Sequence, residues 1–375
     1  MNAQAYLTGN GDQRRALVVV FLRGAADGLS LVAPVEDDAY FAARPRLAVA
    51  KKDAVALDGF FGLNPLLKEL KPAFDDGALA IVHGAGSEDS TRSHFEAQDL
   101  MEHGGLAGGG WLARFLRYRP GAASGALSAV ALGRTLPECL RGAPAAVVMQ
   151  SLDDFSLGAR AESFRRELQR LYALEGDILG SAARDTFGAL DRIDAMRAKS
   201  YQPANGAVYS TDDFALGLRQ IARLIKAGVG LEAASIDIGG WDSHFTQGTI
   251  INPLMTRLAG GLAAFHRDMG RAMETTTTVV VMTEFGRRVH ENASFGTDHG
   301  RGSVMFALGG GVKGGRVIAD WRGLRDELLE GPGDLPVANN YRNVLAPILE
   351  RHGADAASLR QTFPDFKIEP LPIYA

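Results

Sequence analysis

The chain has 375 residues, of which 46% are hydrophobic and 22% charged, and its formal net charge is −4. This composition is typical of a globular protein with a large core. The mixed charge argues against nucleic acid and against a membrane surface as partners. The one cysteine, Cys139, excludes an internal disulfide and a cysteine-based metal site.

The N-terminal region resembles a twin-arginine export signal, since QRRALVVVFLRG at residues 13–24 places two arginines before an apolar run. The run is short, is closed by Arg23 and lacks a small-residue cleavage site. We therefore predict a tail over residues 1–15, a first core strand, and a single domain over residues 16–375. No segment has the apolar length that a transmembrane helix needs.

Apolar runs of strand length recur along the chain, and several are continuous, as in a sheet that is covered on both faces. Helical patterns over residues 63–77 and 252–270 lie between them. This alternation predicts an α/β fold, a mainly parallel sheet sandwiched by helices. The predicted strands are residues 16–22, 79–85, 127–132, 144–150, 233–239, 278–284, 303–309 and 315–321.

Residues 153–228 interrupt the alternation, because they carry helical patterns and almost no strand pattern. A turn-rich segment, YQPANGAVYS at residues 201–210, separates two of these helices. We predict a helical insertion on the sheet.

Four stretches at predicted strand ends carry the chemistry-bearing residues. In the first, residues 21–34, Asp27 follows the first strand among small residues, where an ordinary turn aspartate would bond its own backbone. Arg23 beside it suits an anionic ligand, but it would equally pair with a surface carboxylate.

The second stretch, residues 84–102, contains SHFE, which predicts a capping box with Ser93 as N-cap and Glu96 reaching back. A helix N-terminus also favours anions. A hydroxyl there acts as a nucleophile if a metal or a base activates it, and Ser93, Thr91 and Ser90 compete for that role. His94 and Asp99 are five residues apart and do not share a helix face.

The third stretch, residues 236–248, has Asp242 and His244 one residue apart after a strand and two glycines. In an extended segment such a pair points to one side and can chelate a metal. An ordinary polar loop would explain either residue alone.

The fourth stretch, TEFGRRVHENASFGTDHGRG, follows the predicted strand TTTTVVVM, which we expect to be buried. A carboxylate at the tip of that strand, Glu284, needs a partner or a cation, and Asp298 with His299 follows between glycines. Arg287 and Arg301 could neutralise an anionic substrate. Oxygen ligands mixed with imidazole favour zinc, manganese or calcium.

The sequence gives the other histidines no predicted function. His83 is predicted to be a core residue, and His103, His266 and His352 are predicted to lie at the surface. The segment GGGVKGG at residues 309–315 is predicted to be a hairpin turn, because no helix follows it.

Together the four stretches resemble one family. VVVFLRGAADGLSLVAPVEDDAY, RSHFEAQDLMEHG, GGWDSHFTQG and TEFGRRV…GTDHGRGSVMFALGGGVKGGRV are similar to the domain of unknown function 1501, from about Leu17 to the mid-350s. The resemblance implies the alkaline phosphatase and sulfatase superfamily, with metal ions at the carboxyl ends of the strands. It also implies a twin-arginine leader in many members, and thus the periplasm after trimming, or else the cytoplasm.

The resemblance further implies roles for individual residues. Asp27 would ligate a metal, Ser93 (or secondarily Thr91) would be the nucleophile, and Asp242 with His244 would serve one metal site. His299 resembles the later histidine ligand, with Asp298 beside it. Glu284 stands where the superfamily commonly has Asp-His, so one imidazole is absent from its usual place, and the sulfatase nucleophile motif is absent too.

These features lead to two functional hypotheses. The first is a metal-dependent hydrolase or transferase that uses one or two ions, zinc foremost, on small-molecule or polysaccharide phosphate or sulfate esters. The second is a non-catalytic binding or scaffold protein of the bacterial envelope on the same fold. The oligomeric state stays open.

Overall fold

The computed structural model describes residues 15–121, 125–152, 161–173, 178–198 and 200–374. A central nine-stranded sheet contains all eight predicted strands, several of them shorter than predicted. Its strands are β1 (Ala16–Arg23), β5 (Leu79–Gly86), β6 (Ala129–Leu132), β7 (Val147–Met149), β8 (Ala233–Gly239), β9 (Thr277–Met282), β10 (Ser303–Gly309), β11 (Arg316–Ile318) and β12 (Asn339–Asn340). A small second sheet contains β2 (Val32–Ala33), β3 (Val55–Ala56) and β4 (Gly62–Leu63), which were not predicted.

The central sheet is mixed but mostly parallel. Its order is β11-β5-β10-β9-β1-β8-β6-β7, with β12 beside β5. Among the described strands of this sheet, β10 alone runs antiparallel to its neighbours, β5 and β9. The carboxyl ends of β1, β5, β8 and β9 therefore lie at the same edge as the amino end of β10, and we call this the carboxyl edge.

Both faces of the sheet are covered, as the continuous apolar runs predicted. Along β1, Val18, Val20 and Leu22 point into one hydrophobic cluster, and Leu17, Val19 and Phe21 point into another. This alternation is the two-residue period of a strand.

Helices flank the sheet on these two faces. In chain order they are α1 (Gly28–Leu31), α2 (Asp38–Ala43), α3 (Lys71–Asp75), α4 (His94–His103), α5 (Trp111–Tyr118), α6 (Ala161–Ala173), α7 (Ile178–Arg197), α8 (Asp213–Lys226), α9 (Gln247–Met269), α10 (Arg271–Thr275), α11 (Tyr341–Arg351) and α12 (Ala356–Thr362), with 3₁₀ turns at Pro65–Leu70, Glu138–Leu140 and Asp326–Leu328. The helix predicted over residues 63–77 is divided into a 3₁₀ turn and α3, because Pro72 in the first turn of α3 has no N–H to donate back.

The middle of the chain is helical, as predicted, in the part that the structure describes. α8 is nevertheless built into the main core, where Phe214, Leu218 and Ile221 join the cluster beneath β1. Residues 1–14 of the predicted tail, and residues 153–160, 174–177 and 199 of the predicted insertion, lie outside the described residues. The division into a tail and a single domain stays a prediction.

Two histidine predictions have different outcomes. His83 is a fully buried core residue, as predicted. The prediction that His352 lies at the surface is wrong, because this residue ends α11 against the sheet, is buried, and bonds Thr278 Oγ1 at 3.0 Å. A helix pattern places the last turn but does not show that the turn packs inward.

The helices were compared with the length and hydropathy of a transmembrane helix. Within the described ranges, none is both long enough and apolar enough to cross a bilayer.

Candidate metal centre

The carboxyl edge gathers the predicted stretches because the strands before them are neighbours. Gly24, directly after β1, makes the closest approach. Its φ is +113°, and a Cβ atom on it would lie 2.6 Å from the Asp242 backbone nitrogen. Glycine is therefore required here for the loop after β8 to lie against the loop after β1.

Three imidazole side chains meet around the Asp242 carboxylate. His244 Nε2 lies 3.2 Å from Asp242 Oδ1, and His299 Nε2 lies 3.4 Å from the same oxygen. His94 Nε2 lies 3.5 Å from Asp242 Oδ2. The ligand atoms of His94, Asp242 and His299 all lie within 4.8 Å of one another. We call these four residues the His₃Asp centre.

Each imidazole is oriented by an acceptor on its other nitrogen. His94 Nδ1 lies 2.9 Å from Glu284 Oε1, and His244 Nδ1 lies 3.2 Å from Asp298 Oδ1. His299 Nδ1 lies 2.8 Å from the Arg92 carbonyl oxygen. Since carboxylates and carbonyls accept, the Nδ1 of each imidazole donates, and in the neutral form of each ring Nε2 then presents a lone pair to the centre.

Two observations show that this arrangement fits a cation. His94 Nε2 is buried and has no hydrogen-bond partner. The Nε2 atoms of His244 and His299 lie 2.8 Å apart, and two lone pairs at that distance repel unless a cation or a proton lies between them. A tetrahedral zinc site with bonds near 2.0 Å has ligand–ligand edges of about 3.3 Å, and the three imidazoles lie 3.2 to 3.5 Å from Asp242, close to that value.

The chain also matches a known family. The family model described as "Protein of unknown function (DUF1501)" matches residues 78–368, well over half of the chain. The protein belongs to this family. The matched span contains the whole His₃Asp centre, Glu284 and Asp298, but not Asp27. No curated protein matches the sequence.

The electrostatics of this DUF1501 protein keep the acids of the centre ionised. Burial raises the pKa of Asp242, but a hydrogen bond and the charge of Arg287 outweigh it and hold that pKa at about 2. Burial likewise opposes ionisation of Glu284, yet bonds from His94 and Gln98 hold its pKa below the ordinary value. The bond to Glu284 raises the pKa of His94, whereas burial lowers that of His299.

Asp27, predicted to be a metal ligand, lies in a different environment. It is 1% exposed, and Arg44 binds both of its oxygens, with Nη2 at 3.0 Å from Oδ1. Ser30 Oγ and Gln247 Nε2 donate to Oδ2 at 2.6 and 2.7 Å. Asp27 therefore lies outside the His₃Asp centre and already has its counter-charge.

The three arginines predicted to hold an anion already have protein partners. Arg23 pairs with Glu102 and Asp237, and Arg301 pairs with Glu330. Arg287 is 0% exposed in its side chain, and it donates to Asp242 at 2.7 Å and to four backbone carbonyls.

The predicted hydroxyls serve the start of α4. Ser93 Oγ accepts a long bond of 3.5 Å from the Glu96 amide, as an N-cap should. Glu96 does not complete the predicted capping box. Its carboxylate accepts from Thr91 Oγ1 at 2.6 Å, and the Ser93 amide donates to that same hydroxyl. Ser90 is exposed.

His94 was not predicted to belong to the centre, because it was compared with Asp99. The informative neighbour is Gln98, four residues along the same helix face. Both side chains reach Glu284, with Gln98 Nε2 at 2.9 Å from Oε1. An imidazole and an amide at i and i+4 in the first turns of a helix could have indicated a shared buried carboxylate.

Proposed function

We propose that this DUF1501 protein is a metal-dependent hydrolase or transferase of the alkaline phosphatase and sulfatase superfamily that acts on phosphate or sulfate esters. The observation that carries the proposal is the convergence of three Nε2 atoms on Asp242, one of them buried and without a hydrogen-bond partner. His94, Asp242, His244 and His299 would hold the ion, with zinc foremost and manganese or calcium as alternatives.

A bound zinc ion would polarise an ester oxygen and lower the pKa of a water molecule. The chain's own residues provide the rest. Glu284, Asp298 and the Arg92 carbonyl hold the imidazoles in one tautomer, as orienting partners of metal ligands do. Arg287 fixes the Asp242 carboxylate through its 2.7 Å bond.

The site is open enough for an ester to reach it. The side chains of Asp242 and His244 are 48% and 40% exposed. The compartment and the choice between small-molecule and polysaccharide esters stay predictions.

The nucleophile in this proposal is a water molecule rather than Ser93 or Thr91. Ser93 Oγ accepts from a helix amide, and the Thr91 hydroxyl donates to Glu96. Neither hydroxyl has a hydrogen bond to the His₃Asp centre in the described residues.

The Arg288 guanidinium lies near the centre, its side chain is one-third exposed, and its ion pair with Asp298 is long. Its Nη1 lies a long 3.4 Å from Asp298 Oδ2, and its Nε is buried without a hydrogen-bond partner. Asp298 in turn orients His244, so Arg288 lies one residue removed from the centre. We propose it in place of Arg23, Arg287 and Arg301.

The second candidate function is a non-catalytic binding or scaffold protein on the same fold. The observation in its favour is that Arg23, Arg287 and Arg301 all have protein partners. In that case a shared proton, rather than a metal ion, would join His244 and His299.

Metal content separates the two candidates. Plasma mass spectrometry on the purified protein, before and after zinc loading and desalting, should find metal in wild type and a loss in Asp242→Ala and His94→Ala. His103→Ala is the matched control, because His103 lies on the same helix but contacts Glu138. If the wild-type protein is purified without metal and does not bind added zinc, manganese or calcium, the hydrolase proposal is wrong and the non-catalytic binding protein is the remaining candidate. Metal binding would justify a screen of phosphate and sulfate esters.

A further inference from the structure

Two arginine side chains place fixed positive charge at the carboxyl edge beside the His₃Asp centre. Arg44 is 0% exposed, and its Nη1 and Nη2 atoms donate hydrogen bonds to Asp27. Its remaining donor, Nε, bonds the Val289 carbonyl at 2.7 Å, and Nη2 also reaches the Arg288 carbonyl at 2.9 Å. The guanidinium is therefore held by both the acid and the loop that follows β9.

The Asp27 carboxylate is 1% exposed and has at most one acceptor position left for a metal ion, on the oxygen that accepts only from Arg44. One oxygen accepts from Arg44, and the other accepts from Arg44, Ser30 and Gln247. Gln247 is itself fixed, because its Oε1 accepts from Thr297 Oγ1 at 2.6 Å. An ion at Asp27 would have to displace a buried guanidinium, and a buried cation without its partner is strongly disfavoured.

Arg287 binds Asp242, as Arg44 binds Asp27. Its Nη2 donates to Asp242 Oδ1 at 2.7 Å, while the other donors are taken up by carbonyls of Gly24, Ala25 and Thr297. A second ion at Asp242 Oδ1 would have to share that oxygen with this guanidinium. A guanidinium group is thus bound to each of these two acids, Arg44 to Asp27 and Arg287 to Asp242.

We infer that the carboxyl edge binds one metal ion and that guanidinium groups, chiefly that of Arg44, take the place of a second. The residues therefore do not fit the two-ion site that the resemblance allows. This inference rests on the proposed function, because it takes the His₃Asp centre as the place of the one ion.

The test is a metal count that does not depend on activity. The double variant Asp27→Asn with Arg44→Met removes both charges of the buried pair together, which proteins tolerate far better than the loss of one partner. Zinc-loaded, desalted wild type should hold one equivalent, the double variant should also hold one, and Asp242→Asn should lose it. Titration calorimetry with zinc on the metal-free proteins should give the same stoichiometry.

The outcomes separate the two proposals. Two equivalents in wild type, with one lost in the double variant, would overturn this inference and leave the metal centre standing. No metal in wild type would overturn both. If the double variant is poorly folded, the wild-type stoichiometry decides: one supports the inference, and two overturns it.

Discussion

Asp27 and Asp242 follow adjacent parallel strands, β1 and β8, and both end up at the carboxyl edge, yet their environments differ. Asp27 is 1% exposed and sealed by Arg44, Ser30 and Gln247, whereas the Asp242 side chain is 48% exposed and faces three imidazoles. A carboxylate that receives its cation from the chain stabilises the fold. Asp242 also pairs with Arg287, but its exposed carboxylate faces three imidazoles as well, and we propose that an ion from solution binds there.

The largest effect should come from breaking the sealed site. Arg44→Ala leaves Asp27 buried without a counter-charge, and we expect it to lower the free energy of unfolding by about 3–5 kcal/mol. Urea denaturation followed by circular dichroism measures this. Arg322→Ala is the matched control, since its pair with Asp320 is 74% and 63% exposed and should contribute less than about 1 kcal/mol. Equal effects in the two variants would contradict the comparison.

The next effect concerns the open site. Glu284→Gln keeps the shape of the side chain but weakens the orientation of His94, and we expect metal affinity to fall by about 10–100-fold. Competition with a chromogenic chelator gives the affinity. Glu96→Gln, an acid on α4 that contacts Thr91 instead, is the control. An unchanged affinity in Glu284→Gln would show that His94 is not an oriented ligand.

A smaller effect is expected from the buried imidazole of His352, on the pH dependence of stability. Burial lowers the pKa of His352 to about 3, so the folded state keeps this imidazole neutral while the unfolded chain takes up a proton below its ordinary pKa of 6.5. Stability should therefore fall as the pH drops from 6.5 toward 3, by roughly 1 kcal/mol per pH unit for this residue. Urea titrations from pH 7.5 to 4.5 should show a shallower loss in His352→Asn than in wild type, and parallel curves would refute the effect.

The smallest effect belongs to the predicted nucleophile. Ser93→Ala removes a long N-cap bond and should cost about 0.5–1 kcal/mol, with no change in metal content. Asp355→Ala, which removes the tighter cap of α12 at 2.7 Å, should cost at least as much. If Ser93→Ala instead abolished ester hydrolysis by an unchanged metal centre, the nucleophile would be Ser93 after all.

The strands and the approximate place of the centre could be read from the sequence. Continuous apolar runs such as TTVVVM are unfavourable anywhere but in a covered strand, and polar residues after several such runs must meet at one edge if the strands are parallel. Asp242, His244 and His299 were found in this way, and the structure brings them together.

The partner of each charged group could not be predicted from the sequence, because the two members of each pair lie far apart in the chain. Asp27 and Asp242 both follow a predicted strand, and the sequence favours Asp242 as a metal ligand because His244 lies two residues away. The packing of α2 and the loop after β9 brings Arg44 onto Asp27, and the start of α4 brings His94 to Asp242. A buried charge needs a partner within hydrogen-bonding distance, and only the tertiary structure decides whether that partner is an arginine or a site for an ion.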